Sequence, residues 1–187
     1  MLTITSISTS FVSLFFLLVG SKVYYSWRKE KSPLLKFFAI FLLSFGFQQL
    51  FLSLGAGLVS SSSQINVMFW AVAHIFMFIG ISYFILLPVN LRIPRWEKLI
   101  FKIVIGLSVA GLAIIILNIP ATQGQLLANN VYLFIVPAMS GAVIGFFTTV
   151  CLVFSFFILF SASRRAQDKL LKARALFIAF GILVFLS

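Results

Sequence analysis

Acid, histidine and cysteine are what this sequence has least of. Its 187 residues include three Asp and Glu, one His and one Cys, and only 9% are charged. Soluble domains run near about 25% charged and about 45–50% apolar. This chain is 62% hydrophobic, with a mean hydropathy of +1.18. It cannot cover itself with water-facing side chains, so soluble globular and disordered readings are excluded. A lone Cys151 excludes an internal disulfide. A lone His74 excludes bis-histidine haem ligation and, with no acid in any apolar run, the His and carboxylate cluster of an intramembrane metalloprotease. The missing membrane carboxylate also argues against a proton- or cation-coupled transporter.

What is abundant is apolar sequence in runs long enough to cross a bilayer, which takes about 20 residues. The runs predict an all-α membrane protein, a polytopic helical bundle forming one transmembrane domain over residues 1–187. Its spans are expected at about 4–26, 34–59, 67–88, 99–118 and 131–160, with an incomplete sixth at 175–187. Pro137 either kinks the long fifth run or marks where the span begins. The sixth run stops after 13 residues, short of the ~30 Å hydrocarbon core at about 1.5 Å per residue. The expectation is therefore a fragment cut within its sixth helix. No soluble domain is expected, and no cleavable signal peptide either, because residues 1–21 contain no Lys or Arg.

Charge is distributed one-sidedly. All fourteen Lys and Arg fall in the first, third and fifth connector regions. They include Arg28 and Lys29 in the first and Arg164, Arg165, Lys169, Lys172 and Arg174 in the fifth. The second and fourth connectors carry none. The positive-inside rule then puts the N-terminus outside and the odd connectors in the cytoplasm, in an inner cell membrane. Tyr24, Tyr25, Trp27 and Trp96 fit an interfacial belt at the inner ends. The basic residues would face the anionic inner leaflet. Split among three short turns, they do not make a nucleic-acid footprint. Ser161–Arg174 reads as helix, with Asp168 and Lys172 at i,i+4.

Few polar groups lie inside the spans. Depth arithmetic brings Gln48, Gln49, Trp70, His74 and Ser140 to similar levels, where they could line a weakly polar pocket open to the outside. The competing reading is interhelical hydrogen bonding for stability alone. Gly141 and Gly145 form a GxxxG motif, expected to pack span five closely on a neighbour. Ala138-Met139-Ser140-Gly141 resembles a rhomboid-type serine motif. However, its first Gly is missing and the only His precedes the Ser, so no catalytic residue is assigned. The chain is read as a non-enzyme with no cofactor and no metal.

An outside N-terminus and a sixth helix running outward imply a seven-helix unit. Three stretches carry a resemblance: Arg28-Lys29-Glu30-Lys31, the end of span three at Phe84-Ile85-Leu86-Leu87-Pro88, and Lys172-Ala173-Arg174-Ala175-Leu176. Through them the chain resembles bacterial seven-helix input regions that precede histidine kinase or diguanylate cyclase domains. The resemblance implies a sensor whose cytoplasmic output domain would follow residue 187. The alternative is a small transporter or membrane assembly subunit for an uncharged or lipid-like solute. A sensor predicts a pocket closed below His74. A transporter predicts a water path past Gln48 toward Thr148 and Thr149. Nothing in the sequence fixes an oligomeric state.

Overall fold

Hydrocarbon offers backbone groups no water, so apolar runs satisfy their own N–H and C=O groups as helices. The computed structural model describes residues 3–57 and 63–165. It contains five helices long and apolar enough to cross a membrane: α1 (Ile4–Glu30), α2 (Pro33–Gly57), α3 (Ser63–Arg92), α4 (Glu97–Leu117) and α5 (Ala138–Arg165). Short 3-10 turns occupy Pro94–Trp96 and Ile119–Ala121, and an antiparallel hairpin pairs β1 (Gln123–Leu126) with β2 (Tyr132–Ile135). The chain is a multi-pass helical membrane protein.

Local chemistry sets the helix ends. The Thr3 hydroxyl accepts from the Ser6 N–H at 3.0 Å, capping α1. Lys31 closes that helix in the left-handed conformation (φ 55°), its N–H donating to the Trp27 carbonyl. Pro33 opens α2, where a missing N–H costs nothing. The alternating helices bring Arg28, Lys29, Lys36, Arg92, Lys98 and Arg164 to one end of the bundle, the basic end. The hairpin lies at the other.

α3 is the core element. Of its apolar window 67% is buried, against 17–33% in the other four helices. On one side, Phe51 meets Phe69 and Phe76 while Phe41 meets Phe84, which sets α2 antiparallel to α3. On another, Phe78 packs over Gly111 and the Ser82 and Ser108 hydroxyls meet at 3.0 Å, tying in α4. The Phe78–Phe147 ring contact, with centroids 4.8 Å apart, brings in α5. α1 leans on α2 through small residues and hydroxyls. Gly46 accommodates Leu17, Ser13 donates to the Gly46 carbonyl at 2.9 Å, and Ser53 meets Ser10 at 2.6 Å.

Several expected boundaries move. The fifth span begins at Ala138, because Tyr132–Ile135 pairs as a strand and Pro137 starts the helix after it. Its helix runs on to Arg165, as far as the description of that connector extends. α3 does not stop at Pro88 but continues to Arg92. The fully buried proline removes one hydrogen bond near the helix end, where the loss is tolerated. The sixth run at 175–187, with Asp168, Lys169, Lys172 and Arg174, lies outside the described residues.

Candidate functional site

His74 and Trp70 come together, as their i,i+4 spacing predicts. Their ring centroids are 4.2 Å apart, and His74 Nδ1 lies 2.8 Å from the Trp70 carbonyl. A carbonyl only accepts, so Nδ1 carries a proton and donates in this contact. Both side chains are buried.

The other expected pocket residues separate. Gln48 lies between Ser44, which meets Gly80, and Phe51, which meets Phe76. It therefore shares the stripe of α2 that faces α3, at about the level of His74. It is buried, and its Oε1 has no partner among the described residues. Gln49 falls instead on the stripe of Gly46 and Ser53, which faces α1, so it does not join His74. Ser140 is the third residue of α5 rather than the ninth of a longer span. Counting back equally from Phe78 and Phe147 sets it level with Ala71, one turn from His74 toward the hairpin. It is fully buried, and its Oγ is without a partner among the described residues.

Among the described residues the two glycines of the GxxxG motif meet no closely packed neighbour. A Cβ on Gly145 would meet nothing within 4 Å, and one on Gly141 would make only ordinary contact with Val136 at 3.6 Å. On another face of α5, which neither glycine lines, an apolar groove of about 500 Å³ opens toward α4, lined by residues such as Leu107, Ala142 and Phe146.

At the hairpin end the structure builds what the sequence reading left as loop and span. Asn66 Nδ2 donates to the Tyr132 hydroxyl at 3.1 Å. The Thr5 hydroxyl lies 3.0 Å from the Tyr132 N–H and 3.2 Å from its carbonyl, serving the strand edge as a neighbouring strand would. The Ile4 N–H donates to the Asn130 carbonyl at 3.0 Å, and Thr3 to the Ala56 carbonyl at 3.2 Å. From Tyr132, ring contacts pass to Phe134 (5.1 Å), then Trp70 (6.2 Å), then His74. Beside the hairpin lies an open cleft of about 600 Å³, lined by Gln64, Val67, Met68, Ile119, Pro120, Thr122, Gln123 and Gly124. The polar run Thr122–Gln125 and the Asn129-Asn130 pair mark the hairpin in the sequence, though not the cleft beside it. Asn130 takes a left-handed φ of 61° at the turn.

At the basic end, Arg28 and Lys29 are exposed, and Lys29 sits over Tyr25 at 4.6 Å. Lys31 lies over Trp27 at 5.8 Å and Arg164 over Phe160 at 4.5 Å. Of Arg165 only the helical backbone is described. The Asn90 side-chain amide donates to the Glu97 carboxylate, joining the end of α3 to the start of α4. Among the described residues no three His, Cys, Asp or Glu side chains gather into a metal-binding group. No family model matches this chain, and no curated protein or solved structure is similar enough to match it either.

Proposed function

We propose that the chain is a sensor- or receptor-type membrane module. In this reading the hairpin end lies outside the inner cell membrane and the basic end lies on the anionic cytoplasmic leaflet. The one-sided charge supports that orientation, and the cation–π pairs of Lys29, Lys31 and Arg164 suit an interfacial belt. The observation that carries the reading is the unbroken run of rings from Tyr132 to His74. A ligand that shifts the hairpin displaces Tyr132, and the packed rings pass that shift to the one imidazole inside the membrane. Output would go to a cytoplasmic domain, as the resemblance to seven-helix input regions implies.

The test attaches a membrane-impermeant maleimide to Gln123→Cys in a Cys151→Ser background, with Trp27 and Trp96 replaced by Phe. Trp70 is then the only emitting tryptophan, and ¹⁵N-labelled His74 the only imidazole. Labelling the Gln123→Cys thiol is expected to change the Trp70 emission and the His74 nitrogen shifts, while labelling Lys36→Cys at the basic end changes neither. Unaltered signals in both cases would overturn the reading.

A second reading, transport of an uncharged or lipid-like solute, is favoured by one observation. Gln48 Oε1, Thr148 Oγ1 and Ser155 Oγ are buried at successive depths toward the basic end, with no partner among the described residues. Buried polar atoms of this kind commonly hold water. Thr149, by contrast, is exposed on the outer face of α5. Reaction of Thr148→Cys and Ser155→Cys with hydrophilic thiol reagents added from the hairpin side would favour transport. Protection of both would favour the sensor.

A further inference from the structure

We propose that the cleft between the start of α3 and the Ile119–Gly124 segment binds the uncharged, hydroxyl-bearing head of an amphiphile drawn from the outer leaflet. The inference rests on the orientation proposed above, and it adds the class of ligand. Its first support is charge. No Lys, Arg, Asp or Glu occurs between Lys36 and Arg92, or between Lys102 and Arg164. Both walls of the cleft come from these stretches. A charged head would lose water there and find no counter-ion, which is costly. The polar lining is instead Gln64, Thr122 and Gln123. An amide both donates and accepts, as a hydroxyl does, so this lining matches a neutral polyol or amide head.

The second support is the order of the lining. Gln64 and Met68 are i,i+4 on one face of α3, with the amide nearer the helix start and the thioether deeper. Met68 is exposed, as are Ile116 and Leu117 on the last turn of α4. The surface thus passes from amides at the rim to apolar side chains toward the bilayer, the polarity profile of a single-chain amphiphile. The volume of about 600 Å³ lies within the range of about 300–1,000 Å³ usual for ligand pockets.

The probe is a monoacylglycerol with a photoactivatable diazirine in its acyl chain, added in trace amount to the protein in lipid nanodiscs. Cross-links are expected on peptides containing Met68 and Ile119–Pro120. They should be competed by unlabelled monoacylglycerol but not by free fatty acid or glycerol. Gln64→Leu and Gln123→Leu should each weaken labelling about fivefold, the worth of one neutral hydrogen bond. Met68→Trp, which fills the cleft, should abolish it. All three positions are exposed, so folding is not at stake. Competition by glycerol would identify a soluble ligand and overturn the amphiphile. Labelling spread evenly over exposed α4 residues such as Ile103 and Leu107, and unchanged in the variants, would mean bulk-lipid contact only. Cleft labelling that leaves Trp70 emission unmoved would sink the sensor reading and leave this one standing.

Discussion

The Tyr132 hydroxyl occupies the space where a side chain on Gly124 would begin: a Cβ there would lie 1.8 Å from it. The glycine is required by the tyrosine, and the tyrosine is held in turn by Asn66. Gly124→Ala is therefore expected to push Tyr132 off its seat and destabilise the protein by about 1–3 kcal/mol, as overpacking does. Cys151 is buried, and it is the only thiol. A thiol-reactive dye thus reads unfolding directly, and the midpoint should fall for Gly124→Ala and partly recover in Gly124→Ala/Tyr132→Val.

Tyr132→Phe keeps the ring chain and removes the acceptor for Asn66 Nδ2. Asn66 Oδ1 already has no partner among the described residues, so the whole amide would be left buried and unpaired. The expected cost is about 1–3 kcal/mol. Adding Asn66→Leu should cost less than the sum of the two single changes, because one interaction is lost in each. Additive costs in the dye assay would count against the bond.

Gln48→Leu should stabilise the protein. The buried Oε1 without a partner is a liability of about 1–3 kcal/mol, and leucine of similar size removes it. A rise in the unfolding midpoint is the expected result. A fall would show that Gln48 holds something, and would favour the hydrated path of the transport reading.

Two glycines should answer oppositely to the same substitution. At Gly46 a Cβ would lie 2.7 Å from the Leu17 side chain and 3.1 Å from its backbone nitrogen. Gly46→Ala should therefore cost about 1–3 kcal/mol. At Gly145 the added methyl meets open space, and Gly145→Ala should gain about 0.5–1 kcal/mol from helix propensity. Equal losses at both positions would show that Gly145 has a closely packed neighbour.

The helices were legible because hydrophobic run length is a one-dimensional property. Span existence follows from it, and the ends of α1, α2 and α4 fall within a few residues of the expected positions. The start of α5 was misplaced because Tyr132–Ile135 is as apolar as a span, and hydropathy alone does not separate a short apolar strand from a helix. Trp70 and His74 were legible because i,i+4 neighbours need no tertiary knowledge. Gln48 and Gln49 were not distinguished, since depth follows from counting but the facing partner depends on how α1 and α3 flank α2. The cleft was illegible for a related reason. Its walls are some fifty residues apart in sequence, and only the packing of α4 and the hairpin against α3 brings them together.

The bonds between Thr5 and Tyr132 span 127 residues, which has a consequence for assembly. α1 leaves the ribosome long before β2 and must wait for that strand before its own end is completed. Until then α1 and α2 can zip together locally, but the membrane-distal edge stays open. Closure of that edge is thus a late, long-range step, the slow kind in folding. It would be the first step disturbed by a bulky fusion placed directly before Thr3.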